Sequence, residues 1–279
     1  MKTLLNIFFF AAVLMLHSSC EKTVDLDISQ TPQKVVVEGL VTDLASHNFV
    51  KVSRTTNFYS TGKTPRVTDA TVMVEDSEGN IFNFVHYDGD NADSLGFYLP
   101  EVPFAGVAGV TYSLSVTVDG NTFTAEDKLR GIVQMDKLEY RINPDEQRDP
   151  EDPGRFYEIL LFVKEPQETR DYYLFKCYRN DVLEYANEND IYFSDDELIG
   201  ENIDGISLPL FYAKDDLAKV EVYSLTRDAF VYYRDLQKLL SNDGGLFGTP
   251  PANPRTNISG GALGFFQVSA IESGEINIE

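Results

Sequence analysis

Apolar and polar side chains alternate with a period of two along much of this chain, and that period predicts strands rather than helices. The clearest run is 111–118 (TYSLSVTV), where Tyr112, Leu114, Val116 and Val118 share one face and Thr111, Ser113, Ser115 and Thr117 share the other. Asp119-Gly120 then supplies a hairpin turn, and residues 121–126 return. Residues 34–38, 49–54, 70–75 and 81–86 have the same strand character, and Asp76-Ser77-Glu78-Gly79-Asn80 forms the turn between the last two. Short, regularly spaced strands with turn signals between them predict a β-sandwich. Residues 31–130 are therefore assigned to an immunoglobulin-like or transthyretin-like domain.

The pattern changes after residue 130. Residues 143–155 (NPDEQRDPEDPGR) hold three prolines and seven charged side chains, which predicts an exposed loop. It follows a strand at 135–142 and precedes 157–164 (YEILLFVK), whose two faces are both largely apolar. A strand apolar on both faces is expected at the centre of a sheet. Residues 172–179 and 218–225 add strands, and 263–270 with 275–279 are expected to close the same second sheet. One helix is predicted near 226–241. Thr226 can cap it, Asp228 favours its first turn, and Ala229, Phe230, Tyr233, Leu236 and Leu240 follow one face before Gly244-Gly245. Residues 131–279 are thus expected to be a second, mostly β domain carrying one helix, and the fold class is mostly β.

The first residues follow neither pattern. Met1-Lys2-Thr3 is a short basic start, and 4–16 is a nearly unbroken apolar run of thirteen residues. That is too short to span a bilayer, which takes about 20 residues. Ser18-Ser19-Cys20 after the run resembles a bacterial lipoprotein signal, in which small residues precede a Cys that is acylated and becomes the first residue of the mature chain. His17 departs from that pattern, standing where an apolar residue is usual. The expectation is a signal peptide at 1–19, palmitate-type lipid attachment at Cys20 and a tether over 20–30. Each buried methylene is worth about 0.8 kcal/mol, so a multiply acylated Cys20 would hold the protein on a membrane. Cys177 then has no partner within the mature chain for a disulfide, and its aromatic strand-like setting predicts a small buried hydrophobe.

Composition narrows the function. With 23 Lys plus Arg against 45 Asp plus Glu, the formal charge of −22 provides no footprint for nucleic acid. The mature chain keeps His47 and His86, neither at metal-ligand spacing from another His, Cys or acid, and it has no nucleophile elbow or phosphate-binding glycine loop. The chain is expected not to be an enzyme, with no catalytic residue, resident metal or cofactor beyond the lipid on Cys20. Calcium is a weak alternative at two places. Residues 186–205 hold seven carboxylates and no Lys or Arg, although a solvated acidic loop is the plainer reading. Asp88-Gly89-Asp90-Asn91-Ala92-Asp93 approaches a calcium loop but puts Ala92 where an oxygen is wanted. Residues 241–261 contain five Gly and three Pro, a connection long enough to be either structural packing or a functional surface. Within it Pro254, Arg255, Thr256 and Asn257 are the candidate partner or ligand residues.

Several segments together resemble the domain-of-unknown-function family 4249, a family of Gram-negative outer-membrane lipoproteins. They are Ser19-Cys20-Glu21, Val35-Val36-Val37-Glu38-Gly39, Asp69-Ala70-Thr71-Val72, residues 106–112 (GVAGVTY), Phe193-Ser194-Asp195-Asp196-Glu197 and the tail 250–266 (PPANPRTNISGGALGFF). The tail is the most specific. The resemblance implies an accessory lipoprotein of the outer membrane with a TonB-dependent outer-membrane transporter as partner, and the diluted acidic stretch 21–27 after Cys20 leans toward exposure at the cell surface. It implies capture or presentation of a ligand, or covering of the transporter, and supplies no catalytic residues. The alternative is a structural or adhesive surface lipoprotein with no transporter partner.

Overall fold

The alternating segments pair into three sheets. The computed structural model describes residues 32–56, 62–89, 94–149, 151–164, 169–196, 202–242 and 252–279. The first sheet holds β1 (Val35–Thr42), β2 (Phe49–Arg54), β3 (Thr71–Asp76), β4 (Ile81–His86), β5 (Phe97–Pro100), β6 (Thr111–Val118), β7 (Asn121–Lys128) and β15 (Leu263–Ser269). Their order is β15-β1-β2-β5-β4-β3-β6-β7. The period of two is realised residue by residue in β6, where Tyr112, Leu114, Val116 and Val118 are buried and the Ser and Thr between them are not. Burying each of these side chains contributes roughly 1.5–3 kcal/mol. Val37, Val50, Val52, Val74 and Phe266 complete the same core.

The second half forms two facing sheets. β10 (Tyr172–Arg179), β11 (Val182–Glu184), β12 (Tyr192–Asp195), β14 (Leu217–Leu225) and β16 (Ile271–Asn277) make one, with β11 and β12 along one side of β10 and β14 on the other. β8 (Met135–Ile142), β9 (Tyr157–Lys164) and β13 (Asn202–Tyr212) make the other, with β9 in the centre as its two apolar faces require. Ile159, Leu161, Cys177, Val220 and Tyr212 pack between them. The longer helix, α2 (Arg227–Leu240), begins where Thr226 Oγ1 accepts the Ala229 N–H at 3.3 Å. It lies with Tyr172, Leu174 and Leu225 against Leu40 and Phe265 of the first sheet.

Three expectations change. Residues 263–270 were expected in the second sheet, but β15 runs parallel to β1, with Val36 opposite Leu263 and Thr42 opposite Ser269. The reason lies in its two apolar faces: Phe266 and Val268 enter the first core while Phe265 joins the cluster under α2. Only β16 closes the second sheet, pairing with β14. The chain crosses between sheets at Ala270, whose N–H donates to Ser224 Oγ at 2.9 Å and whose carbonyl accepts from Ser224 N at 3.0 Å. Residues Gln33–Glu279 accordingly form one compact unit.

The loop expected at 143–155 contains a short helix, α1 (Pro144–Arg148). Asn143 accepts from the Asp145 and Glu146 N–H groups, Pro144 is the first helical residue, and none of the helix is buried. The acidic segment 186–205 is not simply a loop either. Tyr192 and Phe193 anchor β12, and β13 begins inside it.

Candidate functional site

A cavity of about 300 Å3 lies between the two sheets of the second half. Leu161 and Val163 from β9, Leu208 from β13, and Tyr173 and Phe175 from β10 supply its walls. Each is there because of strand alternation: Tyr173, Phe175 and Cys177 face inward while Tyr172, Leu174 and Lys176 face out. Polar groups at the cavity are few. Ser207 Oγ donates to Glu158, and Glu272 accepts the Met135 N–H at 3.2 Å. An apolar cavity with a small number of fixed polar groups is the usual form of a small-molecule site.

On the opposite face of the second sheet, Glu221 is buried at 3% exposure yet ionised. Burial works to raise its pKa, but hydrogen bonds from Lys219, Tyr178 and Tyr223 hold it below the ordinary carboxylate value. Tyr178 and Tyr223 each donate to Oε2 at 2.8 Å, and Lys219 Nζ lies 2.8 Å from Oε1. Lys176, across the strand pair from Glu221, is pulled below its ordinary value by burial, with Glu221 partly opposing the shift. His47 reaches the same carboxylate at 3.8 Å. A carboxylate so fully used as an acceptor is a structural anchor within the second sheet.

The tail residues hold the first sheet together. Asn257 Nδ2 donates to the Glu126 carbonyl at 3.1 Å and to the Phe266 carbonyl at 2.8 Å, while its Oδ1 accepts the Phe266 N–H at 3.0 Å. One side chain thereby spans β7 and β15, the two ends of the strand order. Asp127 adds a second span, accepting the Val268 N–H at 2.9 Å. Its burial raises the carboxyl pKa to about 6, against hydrogen bonds from Val268, Thr226 and Lys128 that lower it. Arg255 grips Asp235 of α2, with Nε at 2.7 Å, and Thr256 Oγ1 accepts the Ile258 N–H at 3.0 Å. Pro254 is half-buried beside them. Arg255 and Thr256 remain exposed, whereas the amide of Asn257 is engaged within the fold.

Cys177 is fully buried, and burial pushes its thiol up to about 12. His86 ends β4 and accepts the Gly96 N–H at 3.2 Å. Cys20, residues 90–93 of the calcium-loop candidate and 243–251 lie outside the described residues. Among the described residues no helix is long and apolar enough to cross a membrane.

The cavity was not legible in the sequence. Its walls come from seven strands and the approach to β8, and no local spacing joins them; the two-faced apolar run 157–164 was the nearest signal. No curated protein matches the chain. A family model described as Domain of unknown function (DUF4249) matches residues 21–275, nearly the whole chain after the N-terminal apolar run and including the tail that bridges β7 and β15. The protein therefore belongs to the DUF4249 family.

Proposed function

We propose that this protein is a lipid-anchored accessory protein of the Gram-negative outer membrane that captures a small, largely apolar molecule and presents it to a TonB-dependent transporter. The observation that carries the capture step is the apolar cavity of about 300 Å3 between the two sheets of the second half. For scale, an engineered cavity of about 150 Å3 binds benzene, so this one has room for a larger apolar body. The anchor is Cys20, which follows the apolar leader. The transporter follows from the resemblance to outer-membrane lipoproteins, and no catalytic step or resident metal is part of this reading. The protein holds a ligand near the membrane, and the transporter supplies passage.

Purification of the tagged lipoprotein from gently solubilised native membranes, followed by mass spectrometry, tests the partnership. A transporter recovered in near-stoichiometric amount is the expected result. Recovery of the lipoprotein alone, under conditions that preserve a known membrane complex, would overturn it.

A further inference from the structure

The outer face of β15, β1, β2 and β5 does not meet the outer face of the second sheet flush. Between them, roofed by α2, lies a cleft of about 220 Å3. Phe49, Phe97, Phe265, Tyr232 and Tyr233 put aromatic rings around it. Tyr232 stacks on Phe265 with ring centres 4.9 Å apart, and the Tyr233 hydroxyl donates to Gln267 at 2.5 Å. Two lysines enter this aromatic space, Lys51 from β2 and Lys176 from β10.

The two ammonium groups differ in what they already hold. Lys51 Nζ sits 3.0 Å from Glu38 Oε2, so its charge is matched inside the cleft. Lys176 Nζ is 3.3 Å from the Tyr223 hydroxyl and 4.3 Å from the centre of that ring. An ammonium has three N–H donors, and the Tyr223 hydroxyl is its one hydrogen-bond acceptor among the described residues. That hydroxyl donates its own hydrogen bond to Glu221, which Lys219 and Tyr178 also occupy. The cleft thus presents one cation with spare donors beside a set of rings, on a chain of formal charge −22.

We infer that this cleft binds a small aromatic monocarboxylate, with the ring among Phe49, Phe97 and Tyr232 and the carboxylate on Lys176. The volume allows it, since about 150 Å3 suffices for a benzene ring and the excess admits a carboxylate on a short arm. The charge selects it. One carboxylate matches the one cleft ammonium that makes no ion pair among the described residues, through charge-assisted hydrogen bonds, whereas a dianion would leave a surplus negative charge in a low-dielectric space. An aromatic amine would meet Lys176 with like charge. The site is separate from the apolar cavity, because Lys176 and Leu174 face the cleft while Tyr173 and Phe175 face the cavity on the other side of β10.

Calorimetric titration of the detergent-solubilised full-length protein with phenylacetate, phenylacetamide and phenethylamine tests this. Phenylacetate is expected to bind one-to-one, the amide at least about tenfold more weakly, and the amine not at all. Lys176→Met should weaken phenylacetate about tenfold or more, while Val163→Phe, which fills the other cavity, should leave it unchanged. Should Lys176→Met fail to fold, acetylation of the wild-type protein with and without phenylacetate, mapped by mass spectrometry, replaces it. Lys176 should then be protected and the exposed Lys214 should not. Absence of binding at millimolar phenylacetate, equal affinity for the amide, unchanged labelling of Lys176, or loss of binding in Val163→Phe would each overturn the inference.

Discussion

Replacing Asn257 by Ala removes three hydrogen bonds at once, and their partners are backbone groups that have no other strand to turn to on that side. The amide reaches the Glu126 carbonyl at 3.1 Å and both polar groups of Phe266, at 2.8 and 3.0 Å. A net value of about 1 kcal/mol for each bond gives a loss of about 3 kcal/mol, and the Phe266 N–H loses its acceptor in a half-buried place. In a unit of this size each kcal/mol moves the midpoint by about 2–4 °C, so Tm should fall by about 6–12 °C. Asn257→Asp is the sharper variant. It keeps the acceptor for Phe266 N but turns a carboxylate toward two carbonyl oxygens, so at pH 7 it should cost at least as much as Ala. Acidification that protonates the new carboxyl should recover part of the loss. Thermal unfolding followed by circular dichroism, with exposed Asn253→Ala as the control, reads all of this. If Asn257→Ala melts with the control, the side chain does not close the sheet and the account of the tail is wrong.

Further outcomes follow from the same region and from the anchor. Asp127 has a folded-state pKa of about 6 against an ordinary aspartate value of 3.8. The folded protein holds this proton more tightly, so stability is greatest below the unfolded value and is lost as pH rises through the folded one. The loss is worth about 3 kcal/mol; the stability difference between wild type and Asp127→Asn, taken by urea titration across that window, should change by this amount, and a constant difference would refute a buried acid. Gly264→Ala places a Cβ 2.0 Å from the Val37 carbonyl oxygen at a φ of +96°, so it should prevent stable pairing of β15 with β1. Gly109→Ala, at φ +90° with open space around it, should cost only about 1–2 kcal/mol, and equal melting of the two variants would remove the close-approach argument. Cys20→Ala should abolish labelled palmitate incorporation and membrane fractionation; retention of both would sink the lipid anchor.

Where the alternation was clean the strands were legible, as at β2, β3 and β6, because a half-buried strand writes its two faces into every second residue, while β9 was legible from a short run apolar on both faces. β5 was missed because it is four residues long and ends in Pro100. β13 was missed because Gly205 and Pro209 interrupt its pattern and its register shifts twice against β9. The parallel pairing of β15 with β1 leaves no local mark at all, since either sheet could have used its apolar faces. Asn257 is a similar case. An Asn in a Gly- and Pro-rich stretch signals a turn, and only the approach of β7 to β15 turns its amide into a rung between strands.

The same pairing of β15 with β1 constrains how the chain can be made. The first sheet lacks an edge partner until the last part of the chain has emerged, so its contacts span nearly the whole sequence and folding should be slow for the size of the protein. A fragment of residues 33–130 would carry β1 as an open edge, with the core around Val37 uncovered where Phe266 otherwise packs. Such a fragment should self-associate on a sizing column, and a monomeric, cooperatively melting one would contradict this. The first sheet is therefore completed only when the final strands arrive, and a chain released before then would expose β1 as an adhesive edge.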